Sequence, residues 1–421
     1  MDRVKRPRTT DLDGALGRAC RHPYTAITLC FFVLALEGID VTIVGYLAPR
    51  MREALELPTA ALAPLFSAAL IGLFFGALVS GPLADRIGRK PVILFSILDF
   101  GLATIATALA PGLKTMILSR LVAGAGLGGA MPNAVTLAAE RSPDRQRGFL
   151  VSLAYGGFTV GAAITGIAVA KTIGAHDWRT IMAAAGAVPL ATFPVLLLWL
   201  PESLSRRNVA APASPPHGKH NTAPTRSGPI SFIFERNVAR LTLTLWLVFF
   251  MSLFLIQLFV NWLPVFLRTA GDPLTDAAHT TALFQIGGAI GALVIGTAVT
   301  RHSSGRLLAL GYACAAACIY ALGHCVATAR FPAGVAFMTG FFLIGSFIGS
   351  NIFATWRYPM HCRSTGLSWA NGIGRGGAII GATAGAQLLA IQHSWTVIFL
   401  VLALPAIAST IALSRISPPP I

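Results

Sequence analysis

Apolar residues run through this chain in blocks of roughly 20, separated by short polar stretches, and polar positions inside the blocks are few. Twelve blocks fall near 25–48, 62–82, 91–110, 114–137, 148–171, 178–200, 240–267, 279–300, 306–326, 331–353, 365–390 and 395–415. Each is long enough to cross about 30 Å of hydrocarbon as a helix, so the pattern predicts an all-α membrane protein with twelve transmembrane helices. Glycine and proline recur within the blocks, as membrane helices tolerate. Runs such as GAGLGGA (Gly124 to Ala130) and GRGGAIIGATAG (Gly374 to Gly385) predict close helix–helix approach. Between the sixth and seventh blocks, SLSRRNVAAPASPPHGKHNTAPTRSGPISF has no apolar period and reads as a linker. The predicted organisation is a tail (1–24), a six-helix half (25–200), a linker (201–239), a second six-helix half (240–415) and a short tail (416–421). No small-x-small cleavage pattern follows the first block, which is expected to be a retained span.

Composition agrees. Of 421 residues, 55% are hydrophobic and only 11% charged, and the mean hydropathy is +0.70. Soluble globular chains carry roughly 25% charged residues. The net charge of +16 raises the question of nucleic acid, but placement answers it. Of 32 Lys and Arg, two (Arg120, Arg375) lie deep inside blocks, away from their ends; with both termini in the cytoplasm, 23 of the rest fall on that side and seven outside. That is the positive-inside bias of a membrane protein, here expected in a bacterial inner membrane. No soluble segment is long enough for a nucleic-acid domain. Six cysteines (Cys20, Cys30, Cys314, Cys318, Cys325, Cys362) are scattered without a second ligand pair, so neither zinc nor a disulfide framework is indicated.

The polar exceptions carry the chemistry. Glu37 and Asp40 sit in the middle of the first block, three residues apart and on one helical face. An ionisable group at that depth costs at least about 2.5–3.5 kcal/mol and marks an ion or substrate path by default. Arg375, between GIG and GGA in the eleventh block, is a cation with small neighbours that leave its guanidinium room. A protonatable pair and a buried cation inside a many-helix membrane protein suggest proton-coupled movement of an anion. Arg120 in the fourth block and Asp99 in the third are further buried charges. Asp40 reads either as the proton-coupling carboxylate or as a permanent partner of Arg120 or Arg375. Glu37 either shares that proton or tunes Asp40 by like-charge repulsion. Arg375 suits a substrate carboxylate through two parallel hydrogen bonds, or else pairs with the first-span acids. Arg120 reads as a partner of those acids or as a second substrate contact. Asp99 divides evenly between a helix–helix contact and a proton path, and His324 reads as an interface histidine before a relay. Among polar and aromatic residues suited to an aromatic ring, Gln285 and Trp369 stand out, with Trp246, Gln257, Asn261 and Trp262 on the seventh span.

After the second block comes GPLADRIGRKPVIL (Gly81 to Leu94), a charged loop in which Gly81 and Gly88 are expected to allow tight turns. The pattern G-x-x-x-D-R-x-G-R-K between adjacent spans resembles the signature loop of the major facilitator superfamily. The resemblance implies that fold, and a breakable cytoplasmic latch formed by Asp85 with Arg86 and Arg89. The second half carries only TRHSSGRLLAL, without an acid. Three stretches narrow the likeness to the aromatic acid:proton symporters: EGIDVTIVGYLAP (Glu37 to Pro49), SRLVAGAGLGGAMPNAVTLAAERSPDRQRG (Ser119 to Gly148) and YPMHCRSTGLSWANGIGRGGAIIG (Tyr358 to Gly381). There Glu140, Arg145, Arg147 and Arg363 occupy recurrent polar positions and are expected to support the cytoplasmic gate. E-G-x-D together with NWLP (Asn261 to Pro264) looks most like the hydroxyphenylpropionate carriers, hydroxybenzoate carriers usually having Asp first.

The expectation is therefore a symporter of an aromatic acid anion and a proton, working as a monomer without cofactor or metal. It is not expected to be an enzyme: the sequence has no nucleophile–base arrangement, phosphate loop or ATP motif. A drug exporter is disfavoured because the fifth span, GGFTVGAAITG, lacks a Gly-Pro motif. A sensor is disfavoured because no large cytoplasmic domain is present. Import of a sugar or another organic acid is the remaining alternative.

Overall fold

The computed structural model describes residues 23–143, 146–202, 235–302, 305–328, 332–359, 363–391 and 394–416. Twelve long helices account for nearly all of them: α1 (Pro23–Ala54), α2 (Leu62–Ile87), α3 (Arg89–Leu109), α4 (Leu113–Arg141), α5 (Arg147–Thr172), α6 (Trp178–Trp199), α7 (Arg236–Ala270), α8 (Leu274–His302), α9 (Gly305–Ala327), α10 (Ala333–Arg357), α11 (Arg363–Ala390) and α12 (Trp395–Ser414). Eleven are long and apolar enough to cross a membrane by length and composition; α11, Gly-rich and carrying Arg375, is the twelfth. The predicted tails and most of the predicted linker lie outside the described residues.

Helices outrun the predicted blocks because prolines do not end them. α1 continues past Pro49 and α7 past Pro264. A proline removes one donor and frees the carbonyl four residues back, which a membrane helix must satisfy from its neighbours. At Pro132 the freed Gly128 carbonyl accepts from the Ser80 hydroxyl of α2 at 3.3 Å. Asn133 caps the next carbonyl, Gly129, at 2.8 Å.

The charged stretch after the second block corrects one expectation. Gly81, Asp85 and Arg86 are not in a loop: α2 stays helical to Ile87, and a side chain at Gly81 would meet nothing within 4 Å. The whole reversal into α3 is made at Gly88, with φ +100°, a backbone region that favours glycine. One residue suffices because α3 starts immediately at Arg89.

Packing repeats. α1 lies on α5 and α2 on α4; six helices later α7 lies on α11 and α8 on α10. α3 and α6 pair on the outside of the first group, α9 and α12 on the outside of the second. Glycines make the inner crossings close. Gly38 and Gly161 bring α1 and α5 together, with the backbones of Phe158 and Ala35 where a Cβ would otherwise sit. Between the groups, α1 meets α7, α2 meets α11 and α5 meets α8. The named contacts gather at the end away from the described chain termini. There Phe66 stands edge-on to Trp262 at 5.3 Å, and Arg268 Nε reaches Glu53 Oε1 at 3.0 Å. At the end bearing the start of α1, Asp85 and Arg86 are exposed, and neither makes an ion pair among the described residues.

Candidate functional site

Four helices of the first group (α1, α3, α4 and α5) and one of the second (α11) bring charged or polar side chains to the middle of the bundle. α1 supplies Glu37 and Asp40, which are 1% and 2% exposed. Their position follows from the close α1–α5 crossing, because Gly38 sits between them in sequence. α4 supplies Arg120, 1% exposed. Its Nη2 lies 2.8 Å from Asp40 Oδ2, and its Nη1 lies 3.3 Å from Oδ1 and 3.1 Å from Thr104 Oγ1 of α3. The Thr104 hydroxyl in turn donates to Asp40 Oδ1. Both carboxylate oxygens of Asp40 are therefore engaged, across 80 residues of sequence. Of the alternatives open for Arg120, the structure has it paired with Asp40.

Glu37 is in a different position. Its Oε2 is buried with no hydrogen-bond partner. The nearest opposing charge is Arg375 of α11, within electrostatic reach but beyond ion-pair distance. Arg375 is half-buried, and its Nη1 is a buried donor without a partner. Tyr155 of α5 completes this group: it feels both Arg375 and Glu37, and its hydroxyl points to Met131 Sδ at 3.3 Å. A carboxylate oxygen on α1 and a guanidinium nitrogen on α11, both without a hydrogen-bond partner, thus lie within electrostatic reach of each other across the two helix groups. Such atoms are expensive to leave unmade in a low dielectric.

The remaining predicted residues fall in several places. Gln285 of α8 is 2% exposed with its Nε2 unpartnered, one turn from Ala282, which sits against Gly166 and Tyr46. Trp369 is 41% exposed and stacks on Trp246 at 5.8 Å, so its ring already has an aromatic neighbour. Asn261 of α7 is 3% exposed with Nδ2 unpartnered. At the α2–α3 turn, Arg89 pairs with Glu140 of α4 at 2.7 Å. Arg145 lies outside the described residues, as do the side chains of Arg147 and Arg363. Asp99 packs against the Gly126 backbone of α4, which makes it a helix–helix contact. His324 is exposed on α9. Two site residues were not singled out from sequence: Thr104 and Tyr155. A threonine or tyrosine in an apolar block is common, and only the neighbouring helix gives either one a charged partner.

A twelve-helix bundle with paired and unpaired charges buried at its centre defines a multi-pass membrane protein. The chain belongs to the Major Facilitator Superfamily, whose model matches residues 30–382, and it is a transporter and not an enzyme. It is 37% identical to a gallate transporter of Pseudomonas putida, over 93% of this chain and 91% of that protein. It is 35% identical to a 4-hydroxybenzoate transporter of the same organism, over 93% and 92%. Among solved structures, the xylose transporter XylE from E. coli superposes with a TM-score of 0.72 at 15% identity, covering 94% of this chain and 100% of that one. That likeness concerns the fold.

Proposed function

We propose that this transporter imports a hydroxylated aromatic carboxylate, of the hydroxybenzoate or hydroxyphenylpropionate type, together with a proton. The observation that carries the reading is a pair of unsatisfied groups of opposite sign within electrostatic reach, Glu37 Oε2 on α1 and Arg375 Nη1 on α11. Arg375 receives the substrate carboxylate, with Gln285 as a polar handle and the Trp246–Trp369 stack as an aromatic surface nearby. Glu37 holds the coupling proton, because Asp40 is already occupied by Arg120 and Thr104. Asp40 sets the charge balance around it. The two relatives' names, gallate and 4-hydroxybenzoate transporters, support the substrate class.

In this reading residues 25–200 and 240–415 rock as two units about the central site, joined by the linker 201–239. The positive-inside bias puts both termini in the cytoplasm, and the protein acts as a monomer in the bacterial inner membrane. The packed end is then external, closed by Phe66 on Trp262 and by Glu53 with Arg268, and the opposite end is open inward. Exposed Asp85 and Arg86 fit a released cytoplasmic latch, braced by the Arg89–Glu140 pair, with Arg145, Arg147 and Arg363 as the further supports that the resemblance implies. Opening outward requires the Glu53–Arg268 pair to break, a modest barrier since exposed pairs are worth about 0.2–1 kcal/mol.

Uptake of radiolabelled 4-hydroxybenzoate into proteoliposomes tests the substrate class. Gallate and 3-hydroxyphenylpropionate are expected to compete with the label, and xylose is not. Absence of uptake, or equal competition by xylose, would overturn the assignment.

A further inference from the structure

Beyond the charged centre, toward the packed end, the structure holds a second set of unsatisfied polar atoms that the transport scheme leaves unused. A cavity of about 20 Å³ lies between α1, α2, α4 and α7. Its walls are apolar, Val44, Leu65, Phe66 and Leu127 among them, except for Arg120, Gln257 and Asn261. Arg120 Nε and Asn261 Nδ2 are both buried donors without a partner. A space of this size holds one water-sized group. Two orphan donors and an amide pair on one α7 face, four residues apart, call for a neutral oxygen that accepts and also donates. A second carboxylate fits worse: it would bring another negative charge beside Asp40.

Local chain geometry explains why Asn261 is aimed there. Pro264 frees the Val260 carbonyl, and Gly45 of α1 lies against that carbonyl and the Asn261 backbone. α7 therefore runs close to α1, with Asn261 buried between the groups. The register along α7 sets the distance from the charged centre. Gly377, two residues after Arg375, packs on Phe250, and Gln257 lies seven residues further along α7, a rise of roughly 10 Å. A benzene ring with a carboxylate at one end and a hydroxyl at the other, with a hydrogen bond added at each end, bridges such a length.

We propose that Gln257 and Asn261, with Arg120 Nε, form a subsite for a ring hydroxyl placed opposite the substrate's carboxylate. The subsite selects hydroxylated aromatic acids over unsubstituted ones. The inference rests on the aromatic-acid reading above and adds its selecting residues. A site whose buried donors are met only by the hydroxylated substrate rejects the analogue lacking it strongly, because those donors stay unpaired.

The test is a ratio, so it does not depend on protein amount. Uptake of benzoate, 2-hydroxybenzoate and 4-hydroxybenzoate is measured in proteoliposomes of wild type, Asn261→Leu and Gln257→Leu, with Kd ratios in detergent as a second readout. The wild type is expected to prefer the 4-hydroxy acid over both others, and each variant to lose at least about tenfold of that preference. A preference within twofold of wild type in both variants, with the acids still carried, overturns this subsite alone. A wild type that carries none of the three acids overturns the subsite and the aromatic-acid reading together.

Discussion

Arg375→Gln is expected to lower the affinity for an aromatic acid anion by at least about 30-fold while leaving the protein folded. Removing one member of a buried, hydrogen-bonded charge pair costs about 2–5 kcal/mol, and each ~1.4 kcal/mol is tenfold in Kd. The loss should fall on binding because no acid in the described structure is salt-bridged to Arg375. Its partner-less Nη1 is held in place by helix packing: Gly374 against Leu253 and Gly377 against the Phe250 backbone. Arg375→Lys should recover little, since an ammonium cannot offer two parallel donors to a carboxylate. Isothermal titration with 4-hydroxybenzoate in detergent measures this. A Kd within twofold of wild type for Arg375→Gln would remove the arginine from the substrate site.

The second large effect is on stability. Asp40→Asn strands the Arg120 guanidinium, 1% exposed, without its counter-charge. Breaking a buried pair from one side costs about 3–5 kcal/mol, whereas replacing both members by neutral groups of similar size is often close to neutral. Asp40→Asn is therefore expected to unfold at a distinctly lower temperature than wild type. The double variant Asp40→Asn, Arg120→Gln should regain most of the loss, and neither should carry substrate. The comparison separates a pin from a titrating group. If the single variant is as stable as wild type, the Asp40–Arg120 pair is not holding α1 to α4. If the double variant restores transport, Asp40 is dispensable for function.

Much of this molecule was legible before its structure. The block length marked every long helix, and the acids in α1 and the arginines in α4 and α11 stood out because lipid penalises them. The relatives agree with the resemblance carried by EGIDVTIVGYLAP and GPLADRIGRKPVIL. The pairing of those charges was not legible. Asp40 and Arg120 are separated by 80 residues, and spacing along one helix says nothing about which face of another it meets. Asp40 read in sequence as a proton carrier or as a permanent partner of an arginine; Thr104 and Arg120 engage it, while Glu37 Oε2 has no hydrogen-bond partner. The signature stretch misled in a different way. Gly81 was expected to allow a tight turn, but α2 continues through Pro82 to Ile87 and only Gly88 makes the reversal. Asn261 was visible only as one of several polar residues on α7. Its significance comes from an unpartnered nitrogen at a small cavity.

Glu37→Gln in proteoliposomes bears most directly on the central claim, that an acid in α1 is there to take and release a proton. An inwardly directed proton gradient should drive accumulation of 4-hydroxybenzoate in wild type. In the variant that accumulation should vanish, while exchange of labelled for unlabelled substrate, which needs no net proton movement, persists. Gradient-driven accumulation by Glu37→Gln at the wild-type level would contradict the account.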